Sequence, residues 1–183
     1  QAGATGFYGD RGGELCAENS SAGTNQLAEI CRQWEDAFHA AQVSPTRRVL
    51  LRIGFVLGRE SGALPVLSRL TKWFLGGTVG HGRQFISLIR LADLTRMFVE
   101  AIERPELSGT FNAVAPAPVT NREFMRELRR ALHRPWSPPA PALAVKIGAR
   151  LMGSEPSLAL GGCRCAPERW LQAGFQFEYP ALA

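Results

Sequence analysis

No apolar run in this chain approaches the roughly 20 residues a membrane-spanning helix needs, and no signal-peptide pattern opens it. Neither repeats nor low-complexity segments are present, which argues against solenoid and fibrous classes. Lysine is scarce: Lys72 and Lys146 are the two lysines among 21 basic residues, the rest being arginine. The arginines are scattered and form no long run, so the net charge of +5 does not by itself point to nucleic acid. Cysteine is limited to Cys16, Cys31, Cys163 and Cys165. The Cys163-Arg164-Cys165 pair has no second Cys or His pair at metal-site spacing, which argues against a structural zinc. Free thiols in a reducing cytoplasm are the expectation.

What is present suits a folded domain. The 183 residues, 45% hydrophobic and 20% charged, suffice to bury a sizeable core and do not suit disorder. The stretch from Leu50 to Gly58 reads as a strand buried on both faces, as in parallel sheets. Thr24 and Asn25 can cap a helix before it that runs to about Gln42 and ends by Pro45. Its apolar stripe is Leu27, Ile30, Cys31, Trp34, Ala37, Phe38 and Ala41. Helix–strand alternation places the strand inside an α/β sheet, whose ligands bind beyond the carboxyl ends of the strands. Gly54 to Gly58 should therefore face the working crevice.

Further along, residues 59 to 75 read as a helix after a polar turn, with Leu64, Leu67, Leu70, Phe74 and Leu75 inward and Gly76-Gly77 as its stop. A glycine turn at 80–83 leads to a strand over Gln84–Arg90 and a helix over Leu91–Arg104, with Leu94, Met97, Phe98, Ala101 and Ile102 inward. Gly109–Val114 reads as another strand. Thr120-Asn121-Arg122-Glu123 fits a capping box opening a helix with Phe124, Met125 and Leu128 inward. Residues 134–141 form a proline-rich connector, Ala142–Met152 a further helix, and Pro167 opens a short last helix that ends at Gly174.

Thr5-Gly6-Phe7-Tyr8-Gly9-Asp10-Arg11-Gly12 satisfies TGxxGxxG, the glycine pattern that lets a backbone approach a dinucleotide pyrophosphate. That reading requires a strand before the pattern and a helix straight after it. Gly13, Asn19, Ser20, Ser21 and Gly23 follow instead, so the pattern reads as a decoy in a loop after a truncated strand. The fold is expected to have lost its opening part to this chain, leaving the central strand with an unpaired edge and the protein marginally soluble.

Several phrases, in order, carry a resemblance: ATGFYGD at 4–10, Arg32-Gln33-Trp34-Glu35, LRIGFVLG at 51–58, GHGRQF at 80–85, FNAVAPAPVTNREF at 111–124 and AGF at 173–175. Together they resemble the C-terminal part of the epimerase-like family of extended short-chain dehydrogenases. Members of that family are described as NAD-dependent epimerase/dehydratase, sugar-nucleotide epimerase or, at times, cell-division inhibitor. The resemblance covers nearly all of the chain. It implies the C-terminal part of a Rossmann-like doubly wound parallel sheet with a small substrate-side subdomain. It also implies NADP or NAD in an intact parent, with the pyrophosphate-binding glycine turn outside residues 1–183 and weak cofactor binding by this chain alone.

The resemblance nominates site residues and removes others. The family's Tyr-x-x-x-Lys pair, in which the lysine lowers the pKa of the acid/base tyrosine, falls on Leu27 and Cys31. Thr5 stands where a serine near the nicotinamide is usual, as a catalytic and cofactor-contacting hydroxyl or as an ordinary loop hydroxyl. Tyr8 offers a catalytic phenol or packs beside the loop. Arg52 is a cofactor contact or a structural ion-pair partner, and Gly54 and Phe55 match positions beside the nicotinamide. His81, Arg83 and Gln84 sit in a substrate-facing loop, with His81 a general acid or base by its ordinary pKa or a solvated residue. Arg90 replaces the histidine of a His-x-x-Asp stretch on the substrate side, while Asp93 starts a helix. No metal ligand set is nominated.

Three functions are compatible with these residues. The first is NAD(P)-dependent oxidoreductase-type chemistry on a small-molecule substrate, a nucleotide sugar among the candidates. The second is a dinucleotide-binding or regulatory protein without catalysis. The third, a nucleic-acid-binding domain, requires arginines clustered on one face and steep salt dependence. The expected partners are a small molecule, with neither nucleic acid nor membrane.

Overall fold

The structure is a computed structural model that describes residues 1–41, 46–60, 62–151 and 160–182. At its centre is a three-stranded parallel sheet in the order β1–β3–β7, with β1 at Ala2–Ala4, β3 at Val49–Ile53 and β7 at Gly109–Ala113. β3 alternates as a strand covered on both faces must. Leu51 faces a cluster with Phe111, Met97, Leu94, Trp170 and Phe175. On the other side, Gly3 approaches Leu50 and Glu35, and Arg52 is paired with Glu35. α1 (Gln26–Ala40) thus covers one face, while α3 (Leu91–Glu103) and α6 (Glu168–Gln172) cover the other. Helices on both faces of a parallel sheet make the α/β, doubly wound arrangement expected from sequence.

The long central strand is two strands. β3 ends at Ile53, and β4 resumes at Phe55–Leu57 beside a different neighbour, β6 (Leu88–Arg90). Gly54 is the switch: its N–H donates to the Ala113 carbonyl at 3.2 Å, and the next N–H, of Phe55, donates to the Ser87 carbonyl at 2.7 Å. A Cβ at Gly54 would overlap the Ser87 carbonyl oxygen, so the crossover depends on glycine. The expected strand over Gln84–Arg90 is likewise two pieces. β5 (Phe85–Ile86) runs antiparallel to β8 (Val119–Thr120), and β6 runs parallel to β4. β2 (Leu15–Cys16) pairs with β9 (Arg164–Cys165).

β4, β5, β6 and β8, with α2 (Ala63–Lys72) and α4 (Asn121–Ala131), enclose a second apolar cluster. It includes Leu88, Phe124, Met125, Phe55, Leu64 and Leu67. This is the small subdomain beside the sheet. α4 carries both halves of its capping box, Thr120 to the Glu123 N–H and Glu123 back to the Thr120 N–H. α5 occupies Ala142–Leu151.

Several boundaries and faces differ from the sequence expectations. On α1 the buried side is Ala28, Cys31 and Glu35, whereas Ile30 and Trp34 are exposed. The apolar stripe is wider than the surface the sheet offers, and the pairing of Glu35 with Arg52 rotates the helix toward the charged residue. Leu70, Phe74 and Leu75 are exposed, as is Ile102 on α3. α2 closes on Phe74 itself, in the left-handed region at φ 61°, ahead of Gly76-Gly77. Pro167 precedes α6 as its N-cap rather than lying inside it, and Gly174 closes it at φ 76°. Gln42, Pro45 and Met152 lie outside the described residues. The expected open edge on the central strand is also displaced: β3 is paired on both sides, and β1 is an outer strand of the three.

Candidate functional site

Three strands end together. Beyond β1 comes Thr5, beyond β3 comes Gly54, and beyond β7 comes Val114. The Thr5 Oγ1 donates to the Ile53 carbonyl at 3.4 Å, which ties the end of β1 to that of β3 beside Gly54. Phe55 follows, its ring edge-on to Phe124 at 5.5 Å. Thr5, Gly54 and Phe55 are therefore brought together at the carboxyl ends of parallel strands, where open α/β sheets hold ligands. Ser87, which sequence reasoning missed, braces this corner. Its hydroxyl donates to the Cys163 carbonyl and accepts from the Cys165 N–H, both at 2.8 Å.

Tyr8 and Arg52 lie beneath that corner, not in it. Arg52 is 5% exposed. Its Nε and Nη2 reach the two Glu35 carboxylate oxygens at 2.9 and 2.7 Å, and its Nη1 donates to the Tyr8 hydroxyl at 2.8 Å. The guanidinium also lies 3.5 Å from the Phe7 ring centroid, a cation–π contact. Tyr8 is fully buried, and its hydroxyl donates to Asn112 Oδ1 at 2.7 Å. Burial pushes the Tyr8 phenol well above its ordinary range, and neighbouring Arg52 only partly offsets this. Of the alternatives open for these two residues, the contacts are those of a buried ion-pair partner for Arg52 and of a buried hydrogen-bonding link for Tyr8.

The loop of residues 5–9 is a single 3-10 turn, Thr5–Tyr8, and α1 starts only at Gln26. No helix follows the glycine pattern directly, so it lacks the helix N-terminus that a pyrophosphate site uses. The decoy reading rests on this geometry. Leu27 and Cys31 nevertheless face the loop: a Cβ at Gly6 would stand 3.1 Å from Leu27 and 3.4 Å from the Cys31 sulfur. An isobutyl group and a thiol thus line that side of the loop. Burial raises the pKa of that thiol.

The remaining candidates form two other groups. His81 is exposed and its Nδ1 accepts the Arg83 N–H at 3.0 Å. Gln84 is buried, and its side chain donates to the Val79 carbonyl at 3.1 Å while its own carbonyl accepts the Asn121 N–H. Gln84 thus fastens the 79–84 loop to the start of α4, and Arg83 and His81 are the exposed groups of that loop. Arg90 sits apart, its guanidinium 4.3 Å from the Tyr179 ring centroid. Asp93 beside it is fully buried and accepts the Glu178 and Tyr179 N–H groups at 3.0 and 2.9 Å. Asp93 is an anchor for the C-terminal segment, in addition to starting α3.

Glu35, Glu18 and Asn112 were not nominated from sequence. A signal for Glu35 existed: it shares a helix face with Ala28 and Cys31, opposite a lone arginine in an apolar strand. Glu18 accepts the Asn112 and Arg169 N–H groups at 3.1 and 3.3 Å, contacts that no local pattern announces. Among the described residues no group of three His, Cys, Asp or Glu side chains could hold a metal ion, and no helix is long and apolar enough to cross a membrane.

Comparison with known proteins bears out the resemblance. An epimerase family protein of Mycobacterium leprae is 40% identical over 181 residues, covering 99% of this chain and 58% of the relative. The crystal structure of human epimerase family protein SDR39U1 with NADPH superposes with a TM-score of 0.88 at 28% identity, over 98% of this chain and 60% of that one. A nucleoside-diphosphate sugar epimerase of Corynebacterium glutamicum superposes at 0.77 and is 36% identical, over 98% of this chain and 34% of that one. Residues 140–183 match a domain of unknown function, DUF1731. The chain is homologous to the epimerase family proteins, has their Rossmann-like fold, and spans about three-fifths of the length of the M. leprae relative.

Proposed function

We propose that this chain supplies the nicotinamide- and substrate-facing part of an NAD(P)-dependent, epimerase-like protein, with its pyrophosphate-binding turn outside residues 1–183. The observation that carries this reading is the convergence of Thr5, Gly54 and Phe55 at the ends of three parallel strands. It is supported by the 0.88 superposition on a human relative whose structure contains NADPH. The corner suits a flat, partly polar ring: it offers one hydroxyl at Thr5 and an aromatic wall at Phe55. When bound, the nicotinamide would supply hydride chemistry. The chain's own part is to orient that ring and to hold a small molecule, a nucleotide sugar being the leading class, against the His81–Arg83 loop. A reducing, cytoplasmic setting accords with four free cysteines.

A second reading, cofactor binding without turnover, draws on a specific observation. The places of the usual acid/base pair hold Leu27 and Cys31, and Tyr8 is sequestered. Titration of this chain and of a longer form carrying the preceding region with NADPH and NADH, followed by energy transfer from tryptophan, tests both. The expected result is saturable binding by the longer form and weak binding by residues 1–183. Absorbance at the nicotinamide band in the presence of nucleotide sugars then separates turnover from binding alone. A folded longer form that binds neither nucleotide would overturn the proposal.

A further inference from the structure

Three of the four cysteines, from distant parts of the sequence, share one buried cluster. Cys16, Cys163 and Cys165 pack with Tyr8 and Val114 beneath the Thr5 loop. Cys16 is the partner of Cys165 in the β2–β9 pairing. The Cys163 and Cys165 sulfurs are 3.2 Å apart. That is closer than packed sulfur atoms need to be, and shorter than the roughly 3.8 Å between two thiolates at the tetrahedral angle of a zinc ion with bonds of about 2.3 Å. It is about one ångström from the roughly 2.05 Å of a disulfide bond. The separation suits a sulfur–sulfur bond rather than a bridging metal.

The pair is also polarised. One thiol donates to the other, and this hydrogen bond holds Cys163 below the ordinary thiol range and Cys165 far above it. Cys163 retains 7% exposure while Cys165 has none. The residue with the more acidic thiol is also the less completely enclosed of the two buried cysteines, the order that suits a nucleophile and its resolving partner. Ser87 fixes the backbone on both sides of Arg164 through the Cys163 carbonyl and the Cys165 N–H, holding the two sulfurs toward each other.

We propose that Cys163 and Cys165 are a dithiol modification site that hydrogen peroxide oxidises to an intrachain disulfide. The Cys163 thiolate attacks the peroxide oxygen, the O–O bond breaks, and Cys163 becomes a sulfenic acid as hydroxide departs. The Cys165 sulfur then attacks the Cys163 sulfur and the S–O bond breaks with loss of water. The Cys165 proton and the one first lost by Cys163 complete the two water molecules. Two thiols are oxidised by two electrons, and one hydrogen peroxide is reduced.

The test uses the purified reduced chain, limiting hydrogen peroxide, alkylation of free thiols and mass spectrometry. The expected product has lost the mass of two hydrogens and keeps alkylable Cys16 and Cys31. Trypsin cutting after Arg164 should leave its two flanking peptides joined, and dithiothreitol should separate them. Cys163 should lose its thiol at least about tenfold faster than Cys31, whose burial raises its pKa. In Cys165→Ser the reaction should stop at a sulfenic acid on Cys163 that dimedone traps. Four thiols surviving in the folded protein, a Cys16–Cys165 linkage, or sulfinic acid at Cys163 with Cys165 still free would each overturn the proposal. The wild-type peptide map decides the matter even if the variant does not fold.

Discussion

Replacing Arg52 by methionine should destabilise this protein far more than any surface arginine change, because of what it leaves behind. Glu35, 5% exposed, would keep a buried carboxylate that has lost both its donors, at 2.9 and 2.7 Å. The Tyr8 hydroxyl would lose the donor it accepts from, and Phe7 its stacked cation. Removing one partner of a buried pair costs about 3–5 kcal/mol. For a chain of this length that corresponds to a fall in Tm of roughly 6–20 °C. Arg32→Ala, breaking the exposed pairs with Glu29 and Asp36, should cost under about 1 kcal/mol. The informative comparison is the double change Arg52→Met/Glu35→Leu, which exchanges the pair for apolar side chains of similar size. Its cost should lie well below the sum of the two single changes, since neither charge is then stranded. Thermal and urea unfolding of the four proteins give the coupling directly. Additive costs, or an Arg52→Met penalty under about 1 kcal/mol, would refute the view that this network is a buried, mutually dependent unit.

Gly54→Ala should cost about 3 kcal/mol as an overpacking change and weaken NADPH binding by the longer form. The new Cβ would press on the Ser87 carbonyl and stand 2.8 Å from Val114; unchanged stability with native spectra would count against the strand switch. Glu18 titrates above the ordinary carboxylate range because burial disfavours its charged form. The folded state then binds more protons than the unfolded state between the ordinary carboxylate value and the raised one. Stability from this group therefore rises as pH falls through that window. Glu18→Gln should remove that slope, seen as a difference in unfolding midpoint between the proteins across pH 4–7; parallel profiles would exclude Glu18 as its source.

Much of the fold was legible because its signals are local. Thr120 and Glu123 fall three residues apart, and the cap they form depends on nothing distant. Leu50 to Arg52 could be read as a doubly covered strand from composition alone. The faces of α1 and α2 were misread because an apolar stripe states what a helix can bury, not how much surface awaits it. Ile30, Trp34 and Leu75 remain exposed for that reason. The candidate site was legible in part: ordered phrases singled out Thr5, Gly54 and Phe55, which meet at the strand ends, while the choice between buried and exposed roles for Tyr8 and Arg52 waited on partners far away in the chain.

The sequence by itself determined the α/β class and the α4 capping box, carried by residue types at short spacing, and the kinship, carried by phrases in a set order. Tertiary structure alone decided that Arg52 is occupied by Glu35 and Tyr8, that the strand changes partner at Gly54, and that Cys163 and Cys165 meet. Those outcomes depend on which distant groups share a low-dielectric interior. There an unpaired charge or donor is costly, and the partner that relieves it lies anywhere along the chain.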